Sequence, residues 1–405
     1  MNSFTHTSRL KAAFICPCIG VGGADAYMLS LVQHTPNIEW TGIAVERHTN
    51  KEQLLWVERA LGNRCRIHQL KHPNKEMFPN IVYEENMGNV VYGACHDADI
   101  IVVWCVEQLN RDVVSVLNKP IVEFTQNTDE HAKRTTERID GLVNYRVACC
   151  ESAISTYPEY RQDSVTVIYN AIDPNRVVPR FGRQYIRKAW NIQDDEKVIL
   201  YMGRLVDEKN PQTVISALTS LPEKYRALFV GTGYRTTDLH RLAQDMLEPG
   251  RVMFMDNQYY VGDIFEASDV FVLPSDFEGQ PLSVMEAWLS GIPVVCSEFT
   301  NAVELRDKFG PLCTYVPLAC SGKQLAQGIL RAASDDPEVL TERNNAREIV
   351  WQNFTMPCVA AQWEEVLHQF LHDWRTRQRF PYIKPVQPKK PQTEATSIVK
   401  LVEGR

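Results

Sequence analysis

The sequence predicts an α/β protein made of two doubly wound domains, each with a parallel β-sheet. One reason is length, because 405 residues are many for a single hydrophobic core and suit two domains of ordinary size. A second is the alternation of short β-forming runs with helical patterns along most of the chain, which is typical of parallel sheets covered by helices. A third is that several of these runs end in glycine-rich or polar turns, where doubly wound folds place their ligands.

Composition excludes several classes of protein. Hydrophobic residues make up 44% and charged residues 23% of the chain, as in an ordinary globular protein. The net charge of −7 is mild and divides about equally between the two halves, so a nucleic-acid partner is not expected. No apolar run reaches the length of a membrane span and the polar start does not fit a signal peptide, so we expect no stable membrane insertion.

Cysteine usage indicates the compartment. The eleven cysteines are an odd number, they are scattered along the chain, and they include no paired C-x-x-C set for zinc. Several lie inside apolar runs, as Cys105 does, where a thiol behaves as a small hydrophobic group. We therefore expect a reducing, cytoplasmic environment.

The first half of the chain is expected to form the first sheet and its helices. Its predicted strands are residues 12–16, 41–45, 66–69, 100–105, 120–125, 146–150 and 165–168. Helices are predicted after the glycine-rich turn 17–25, at 51–61 and 107–117, and as a long helical region that ends at Asp97. The triplet Asp97-Ala98-Asp99 could hold a metal ion, but a helix end followed by a strand start is the preferred interpretation.

The second half repeats the alternation. Its predicted strands are residues 198–202, 228–230, Val252–Met255, Val270–Leu273, 294–296 and 313–318, and its predicted helices are 184–190, 238–246, one that starts near Pro281, and 324–333. An apolar face at helical spacing then predicts a long helix at 358–380. Residues 381–405 hold four prolines and no periodicity, so we expect a loosely ordered tail.

The loop between the predicted strand Val270–Leu273 and the next helix has the features of an anion site. Gly279 allows a close backbone approach to a ligand, and Pro281 suits the first helical turn. The helix start is also the positive end of the helix dipole, so its free backbone amides can hold a phosphate. The amides expected to point outward there are those of Gln280, Leu282 and Ser283.

Charged side chains of two loops complete a predicted pocket for a nucleotide sugar. Glu278 in the loop and Glu286 in the helix can accept hydrogen bonds from sugar hydroxyls, because an ionised carboxylate only accepts. Arg204 and Lys209, five residues apart after another strand, can neutralise a diphosphate. The alternatives are solvated glutamates on an ordinary strand-helix-strand unit, and a surface salt-bridge set of the two cations with acidic neighbours.

Four segments resemble the family-4 retaining glycosyltransferases of GT-B fold. The donor motif of that family is similar to Glu278, seven intervening residues and Glu286 within FEGQPLSVMEAWLSGIPVV, and its Arg and Lys match GRLVDEKNP, residues 203–211. More weakly, Gly22-Gly23-Ala24 resembles a GGAE turn with Asp25 in place of Glu, and Asn170-Ala171-Ile172-Asp173 resembles an N-G-V-D segment. The resemblance extends to about Trp374 and is strongest from 198 to 297.

The resemblance implies a fold and a domain plan. Two Rossmann-like doubly wound domains are expected to face each other across a cleft, with residues 1–178 binding the acceptor and 179–357 binding the nucleotide sugar. A hinge is expected near 179–182, because Ala171 in place of Gly should keep an ordinary φ. Helix 358–380 should cross back to the first domain; the alternative, a helix on a membrane surface, is disfavoured by Glu364, Glu365 and Asp373.

The implied reaction is sugar transfer from a nucleoside diphosphate-sugar to a hydroxyl acceptor with retention of the anomeric configuration. Catalytic roles fall to Arg204, Lys209 and Glu278, with Glu278 holding the sugar hydroxyls and Glu286 those of the ribose. Donor-binding positions are Gly22, Gly23, Gly203, Asp256, Asn257, Gly279, Gln280, Pro281, Leu282, Ser283 and Glu286, and acceptor-side candidates are Gln126, Asn127 and His131. No metal and no cofactor are expected, and the nucleotide sugar is a co-substrate.

Other functions stay open at this stage. A nucleotide-sugar epimerase, a phosphorylase, a transferase acting on nucleic-acid bases, or a binding protein without turnover would share much of the pattern. The loop after residue 125, which holds the acceptor-side candidates, could equally be a solvated loop. The basic run 64–75 could meet a phosphate-bearing acceptor or simply be a solvated face. The nucleobase, the sugar, the acceptor and the oligomeric state are not specified by the sequence.

Overall fold

The structure is a computed structural model that describes residues 9–20, 22–46, 57, 60–71, 81–104, 106, 109 and 111–376. Some sequence predictions reach beyond these residues. The predicted tail 381–405, most of the predicted helix 51–61, the start of the predicted helix 107–117, position 105 and the end of the basic run 64–75 lie outside them.

Eight parallel strands form the first sheet, in the order β4-β3-β2-β1-β5-β6-β7-β8. They are β1 Leu10–Cys16, β2 Ile38–Val45, β3 Ile67–Leu70, β4 Ile81–Glu84, β5 Ile100–Trp104, β6 Ile121–Thr125, β7 Tyr145–Ala148 and β8 Val165–Val167. The order reverses between β1 and β5, which opens a crevice at the carboxyl ends of these two strands. The turn with Gly22 and Gly23 follows β1 and therefore lies at this crevice.

The described helices of the first domain cover the sheet. They are α1 Gly23–His34, α2 Met87–Cys95, α3 Arg111–Leu117, α4 Glu130–Ile139 and α5 Glu159–Gln162. The strands are nearly continuous apolar runs because both faces of the sheet are covered, and all five residues of β5 are buried.

Six parallel strands form the second sheet, in the order β11-β10-β9-β12-β13-β14. They are β9 Lys197–Met202, β10 Tyr225–Val230, β11 Val252–Met255, β12 Val270–Leu273, β13 Val294–Ser297 and β14 Thr314–Val316. Its helices are α6 Arg183–Ala189, α7 Pro211–Leu218, α8 Thr236–Met246, α9 Gly262–Ala267, α10 Leu282–Ser290, α11 Thr300–Phe309, α12 Gly322–Ala332 and α13 Pro337–Asn353. The order reverses between β9 and β12, so the predicted fold class of two doubly wound parallel sheets is confirmed.

One sequence prediction in the first domain is wrong. The long helical region expected to end at Asp97 contains strand β4, Ile81–Glu84, and the helix begins only at Met87. The run Ile81-Val82-Tyr83 consists of β-formers that pair with β3, and Asn86 then caps the helix by accepting a hydrogen bond from the amide of Asn89 at 2.9 Å.

The chain crosses between the domains at two adjacent places. Ile172 pairs in parallel with Thr355, and the amide of Met356 donates to the carbonyl of Ile172 at 2.7 Å. The 3-10 turn Pro174–Val177 already packs against α9 and α10 of the second domain. The first crossing therefore precedes the segment 179–182 where the sequence predicted a hinge. Ala171 keeps an ordinary φ, as expected.

The long helix α14, Met356–Thr376, leaves the second domain and packs on the first. The indole nitrogen of Trp363 donates to the hydroxyl of Tyr27 at 2.7 Å, and its ring lies 5.0 Å from that of Phe124. Phe370 stacks on Tyr145 at 4.2 Å, so the apolar face of the helix is part of the first domain's core. Of the helices in the described ranges, none has the length and hydropathy that crossing a bilayer requires.

Candidate active site

The loops at the carboxyl edges of the two sheets touch each other. The hydroxyl of Thr128 donates to the carbonyl of Glu278 at 3.0 Å. A Cβ placed on Gly279 would lie 2.1 Å from the carbonyl oxygen of Gln126, so the two backbones meet where a side chain would not fit. A Cβ on Gly23 would make ordinary contacts of 3.6–3.8 Å with Leu282. The two glycine-containing turns therefore face each other between the domains.

The loop after β9 is held against the turn after β10 by glycines. Gly231 has a φ of +142°, and a Cβ there would lie 2.0 Å from the carbonyl oxygen of Gly203. A Cβ on Gly233 would lie 2.1 Å from the carbonyl oxygen of Leu205, whose amide donates to the carbonyl of Thr232 at 3.0 Å. This close approach fixes the backbone on either side of Arg204.

Lys209 and Glu278 form a buried ion pair. Nζ of Lys209 lies 2.6 Å from Oε2 of Glu278, and the two side chains are only 10% and 11% exposed. The hydroxyl of Ser275 donates to the other carboxylate oxygen at 2.8 Å. The loops that carry the pair follow β9 and β12, the two strands between which the sheet order reverses. Sequence reasoning therefore placed these two residues in one site.

Arg204 lies on the same loop but in a different environment. Its side chain is 61% exposed and forms an ion pair with Glu208, with 3.0 Å between Nη2 and Oε1. Its carbonyl accepts a hydrogen bond from the buried Tyr201 hydroxyl at 2.9 Å, so the backbone is fixed while the guanidinium is accessible. Burial raises the pKa of Tyr201, and the negative charge of Glu278 adds to that effect, so this phenol stays protonated.

Glu286 lies on the second turn of α10 and is 2% exposed. Nη1 of Arg176 approaches its Oε1 at 3.2 Å. Burial raises the pKa of Glu286, and the positive charge of Arg176 counteracts this rise. Sequence reasoning missed Arg176. The only available signal was its place three residues after Asp173, in the segment that resembles the N-G-V-D motif.

Gln280 has a structural role at the contact between the domains. Its side-chain oxygen accepts from the amide of Asn170 at 2.6 Å, and its carbonyl accepts from Nδ2 of Asn170 at 2.9 Å. Gln126 in turn donates to Oδ1 of Asn170 at 2.7 Å. The backbone amide of Gln280 was expected to point outward, but it is directed at the thiol of Cys149. Close packing of Gly279 on the first domain explains this inward orientation.

The start of α10 keeps amides that a ligand could use. Pro281 is its N-cap and provides no side-chain hydrogen bond, as proline has no donor or acceptor in its ring. Leu282 and Ser283 are the first two helical residues, and an N-terminal amide in this position lacks an intrahelical acceptor. Leu282 also contacts Gly23 across the cleft. The predicted anion site is thus reduced to the amides of Leu282 and Ser283.

Asp256 and Asn257 are exposed after the edge strand β11. Nδ2 of Asn257 donates to the hydroxyl of Thr232 at 3.3 Å, and a Cβ on Gly231 would lie 3.6 Å from Oδ1 of Asn257. The side chain of Gln258 donates to the carbonyl of Asp256 at 3.2 Å. These residues are adjacent to the loop of Gly203, on the side away from Glu278.

The acceptor-side candidates separate in the structure. Gln126 and Asn127 follow β6, and Asn127 donates to Asp129 at 2.5 Å. Asp129 is the N-cap of α4, and this helix was not predicted from the sequence. His131 is therefore an exposed residue of the first helical turn and not part of the strand-end loop.

The triplet Asp97-Ala98-Asp99 has a structural role on the far side of the first domain. Asp99 precedes β5, at the opposite end of the strand from the cleft, and accepts a hydrogen bond from the amide of Lys11 at 3.0 Å. It also pairs with Arg375 of α14 at 2.8 Å. No cluster of three potential ligands for a metal ion occurs within the described ranges.

A second residue that sequence reasoning missed connects the domains. Glu304 on α11 accepts hydrogen bonds from the amides of Glu151 and Ser152 at 3.2 and 2.9 Å, and from the hydroxyl of Tyr169 at 2.7 Å. Lys308 on the same helix pairs with Glu151 at 2.6 Å. Together with the Asn170–Gln280 bonds, these contacts connect the two domains.

The second domain matches a known family. Residues 182–350 match the family model described as "Glycosyl transferases group 1". The chain is 27% identical over 209 residues to an uncharacterized glycosyltransferase of Methanocaldococcus jannaschii, covering 50% of this chain and 53% of that protein. It is 30% identical over 186 residues to the Escherichia coli UDP-Gal:alpha-D-GlcNAc-diphosphoundecaprenol alpha-1,3-galactosyltransferase, covering 44% and 47%. The chain spans about half or less of the curated relatives it matches.

Solved structures extend the likeness to both domains. The crystal structure of Anabaena HepE in complex with UDP and glucose superimposes with a TM-score of 0.73 at 17% identity, covering 89% of this chain and 100% of that chain. A glycosyltransferase from Rickettsia africae gives a TM-score of 0.65 at 14% identity, covering 90% and 99%. At these identities the likeness concerns the fold alone, and it confirms the GT-B fold that the sequence motifs predicted.

Proposed function

We propose that this chain, a GT-B protein whose second domain belongs to the group 1 glycosyltransferases, transfers a sugar from a nucleoside diphosphate-sugar to a hydroxyl acceptor with retention of configuration. The observation that supports this most is the buried pair of Lys209 and Glu278 at the carboxyl edge of the second sheet. The ammonium of Lys209 and the carboxylate of Glu278, which can only accept hydrogen bonds, lie together in the loops at this edge. The chain then continues from Glu278 to the first amides of α10.

The cations act on the leaving diphosphate. When the bond between the anomeric carbon and the phosphate oxygen breaks, negative charge grows on the diphosphate. Lys209, the exposed guanidinium of Arg204 and the amides of Leu282 and Ser283 stabilise that charge. Loss of one such preorganised donor lowers turnover by roughly 10²–10³ in comparable sites.

Glu278 changes partner during binding. In the structure it neutralises Lys209, and Ser275 holds its second oxygen. A bound diphosphate competes for the ammonium, which leaves Glu278 to accept hydrogen bonds from hydroxyls of the sugar. The pair thus keeps both groups ordered before the donor arrives.

Retention follows from a displacement on one face of the sugar. The acceptor oxygen forms the new bond to the anomeric carbon on the side from which the diphosphate leaves. The acceptor proton passes to the departing phosphate oxygen, so no enzyme nucleophile is required. Retaining hydrolases instead use a second carboxylate that flanks the bond, and the sequence motifs indicate none here.

Substrates and setting remain part of the proposal. The name of the Escherichia coli relative includes a UDP-sugar and that of the HepE structure includes UDP, so uridine nucleotides are the first donors to test. A glycan, a lipid-linked glycan or a small molecule fits the acceptor role of the first domain. We further propose that the transfer needs no metal and occurs in the cytoplasm, as the sequence led us to expect.

The test is a donor screen followed by product analysis. UDP, GDP and ADP and their sugars are ranked by the rise in melting temperature they cause, because a ligand of the native state stabilises it. The best donor is then incubated with an acceptor panel in the presence and absence of EDTA, and NMR determines the anomer of any product. A retained anomer, unaffected by EDTA, supports the proposal. An inverted product refutes retention, and isomerised donor without acceptor indicates an epimerase instead.

A further inference from the structure

The segment that connects the domains carries Arg176, which lies next to Glu286 of the proposed donor site. Arg176 belongs to the 3-10 turn Pro174–Val177, directly after the crossing at Ile172. Its guanidinium and the carboxylate of Glu286 lie 3.2 Å apart, and their side chains are 9% and 3% exposed. The pair is therefore shielded from solvent, and its acidic member Glu286 lies on α10, the helix whose first amides are proposed to bind the diphosphate.

Arg176 is fixed by the residues around it. Its Nε donates to the carbonyl of Tyr259 at 3.1 Å, and its guanidinium lies 5.1 Å from the centre of the Tyr259 ring. Its own carbonyl accepts from the amide of Val261 at 3.1 Å. Asp173 caps the turn by accepting from the amide of Asn175 at 2.9 Å. These bonds hold the positive charge in one position.

Glu286 depends on that charge. Burial favours the protonated form and raises the pKa of Glu286; the charge of Arg176 lowers the pKa, and the carboxylate of Asp173 raises it again. The phenol of Tyr259 also interacts electrostatically with Glu286. Within the part of the chain that the structure describes, Oε1 of Glu286 accepts no hydrogen bond. The ion pair therefore balances the charge of Glu286 without occupying Oε1 with a hydrogen bond.

We propose that Arg176 is the positioning residue that keeps Glu286 ionised and oriented to accept hydrogen bonds from the two adjacent hydroxyls of the nucleotide's ribose. This rests on the proposed function and on the ribose role that the family resemblance implies for Glu286. Two neighbouring hydroxyl donors match the two acceptor oxygens of an ionised carboxylate, whereas a protonated carboxyl turns one of these oxygens into a donor. Arg176 thus sets the preference of the site for ribonucleotides over 2′-deoxyribonucleotides.

The test compares paired nucleotides on the full chain. Titration calorimetry measures the affinity for UDP, GDP and ADP and for the corresponding 2′-deoxynucleoside diphosphates. In R176M we expect the affinity for the best ribonucleotide to fall by roughly tenfold to a hundredfold, the range for hydrogen bonds to a charged group. The affinity for its 2′-deoxy counterpart should change much less. The R176M affinity for the ribonucleotide should also fall more steeply than that of the wild type as the pH is lowered, because burial without the arginine favours the protonated form of Glu286.

Two further variants separate positioning from stability. R176K keeps the positive charge without the planar fork and should retain more of the ribose preference than R176M. Arg187 is a matched control, because it is a buried arginine that pairs at 3.2 Å with Asp269, which lies at the amino end of β12 and not at the end that leads into the Glu278 loop. R187M should lower the melting temperature but leave the ratio of ribo to deoxy affinities unchanged.

The outcomes distinguish this inference from the proposed function. A wild type that binds no nucleoside diphosphate overturns both. A wild type that binds ribo and deoxy forms equally overturns the ribose role of Glu286 and the role of Arg176, while sugar transfer stands. An unchanged ratio and pH profile in R176M, or the same loss in R187M, overturns the role of Arg176 alone.

Discussion

Replacing Lys209 tests whether the buried pair is the centre of the site. Its partner Glu278 lies 2.6 Å away and is about as buried, and the hydroxyl of Ser275 is the other hydrogen-bond donor to that carboxylate. K209M therefore leaves a shielded negative charge with one neutral donor. Breaking a buried ion pair from one side costs about 3–5 kcal/mol, and the remaining Ser275 bond places our estimate near the lower end, at about 3 kcal/mol. In a domain of this size that corresponds to a loss of roughly 6–12 °C in melting temperature.

The double variant K209M/E278Q isolates the cause. The side-chain amide that E278Q introduces can still accept the bond from Ser275 but carries no charge, so adding E278Q to K209M should recover about 2 kcal/mol. Urea unfolding and thermal melts of the wild type, K209M, E278Q and K209M/E278Q measure this cycle. Lys188 is exposed, so K188M is a control whose stability should change little. Stability returns in the double variant while turnover stays low, because the ammonium for the diphosphate is still missing. A double variant no more stable than K209M would refute the ion pair.

Three further predictions follow from other parts of the molecule. R204A should change the free energy of unfolding by less than about 0.5 kcal/mol, because an exposed ion pair contributes little to stability. It should nevertheless lower turnover by roughly 10²–10³. Equal turnover of R204A and the wild type in steady-state assays would show that Arg204 does not contact the donor. G279A should separate the domains and raise the radius of gyration in X-ray scattering, because its Cβ would lie 2.1 Å from the Gln126 carbonyl oxygen. Gly141 has open space around it, so G141A should leave the radius unchanged. An unchanged radius in G279A would contradict the close contact between the two loops. Burial raises the pKa of Glu123 to about 8, so the native state holds a proton that the unfolded chain has lost at neutral pH. The stability of the wild type therefore falls as the pH rises from about 5 to 8. E123Q removes this titrating group, so its stability should depend less on pH. Urea unfolding at three pH values measures this slope, and equal slopes in both proteins would count against the buried carboxyl.

Periodicity predicted the sheets well because their strands are buried on both faces. Strands β5 and β12 are uninterrupted apolar runs, IIVVW and VFVL, and such runs are visible without any partner. The reversal of strand order, which creates the crevice, is a property of the connections and was implied only by the resemblance. The short strand β4 was missed because its four residues precede a helical pattern closely and only the partner β3 selects the extended state.

The sequence predicted the site best where charged side chains belong to motifs that can be recognised in the sequence. Lys209 and Glu278 were expected at one pocket, and they form an ion pair. Arg176 was not predictable, because its role depends on the path of the chain between the domains, which brings it onto α10. The inward amide of Gln280 was missed for a similar reason, since the first domain's Cys149 is its partner and is 131 residues away in sequence.

The contribution of the diphosphate to binding affinity can be measured most directly by comparing nucleotides that differ only in their number of phosphates. Calorimetry on the wild type and K209M should use a nucleoside, its monophosphate and its diphosphate with the same base. We expect the wild type to bind the diphosphate far more tightly than the monophosphate, and we expect that difference to collapse in K209M. Equal affinity of the wild type for both phosphates, or an undiminished difference in K209M, would contradict a donor site built around Lys209 and Glu278.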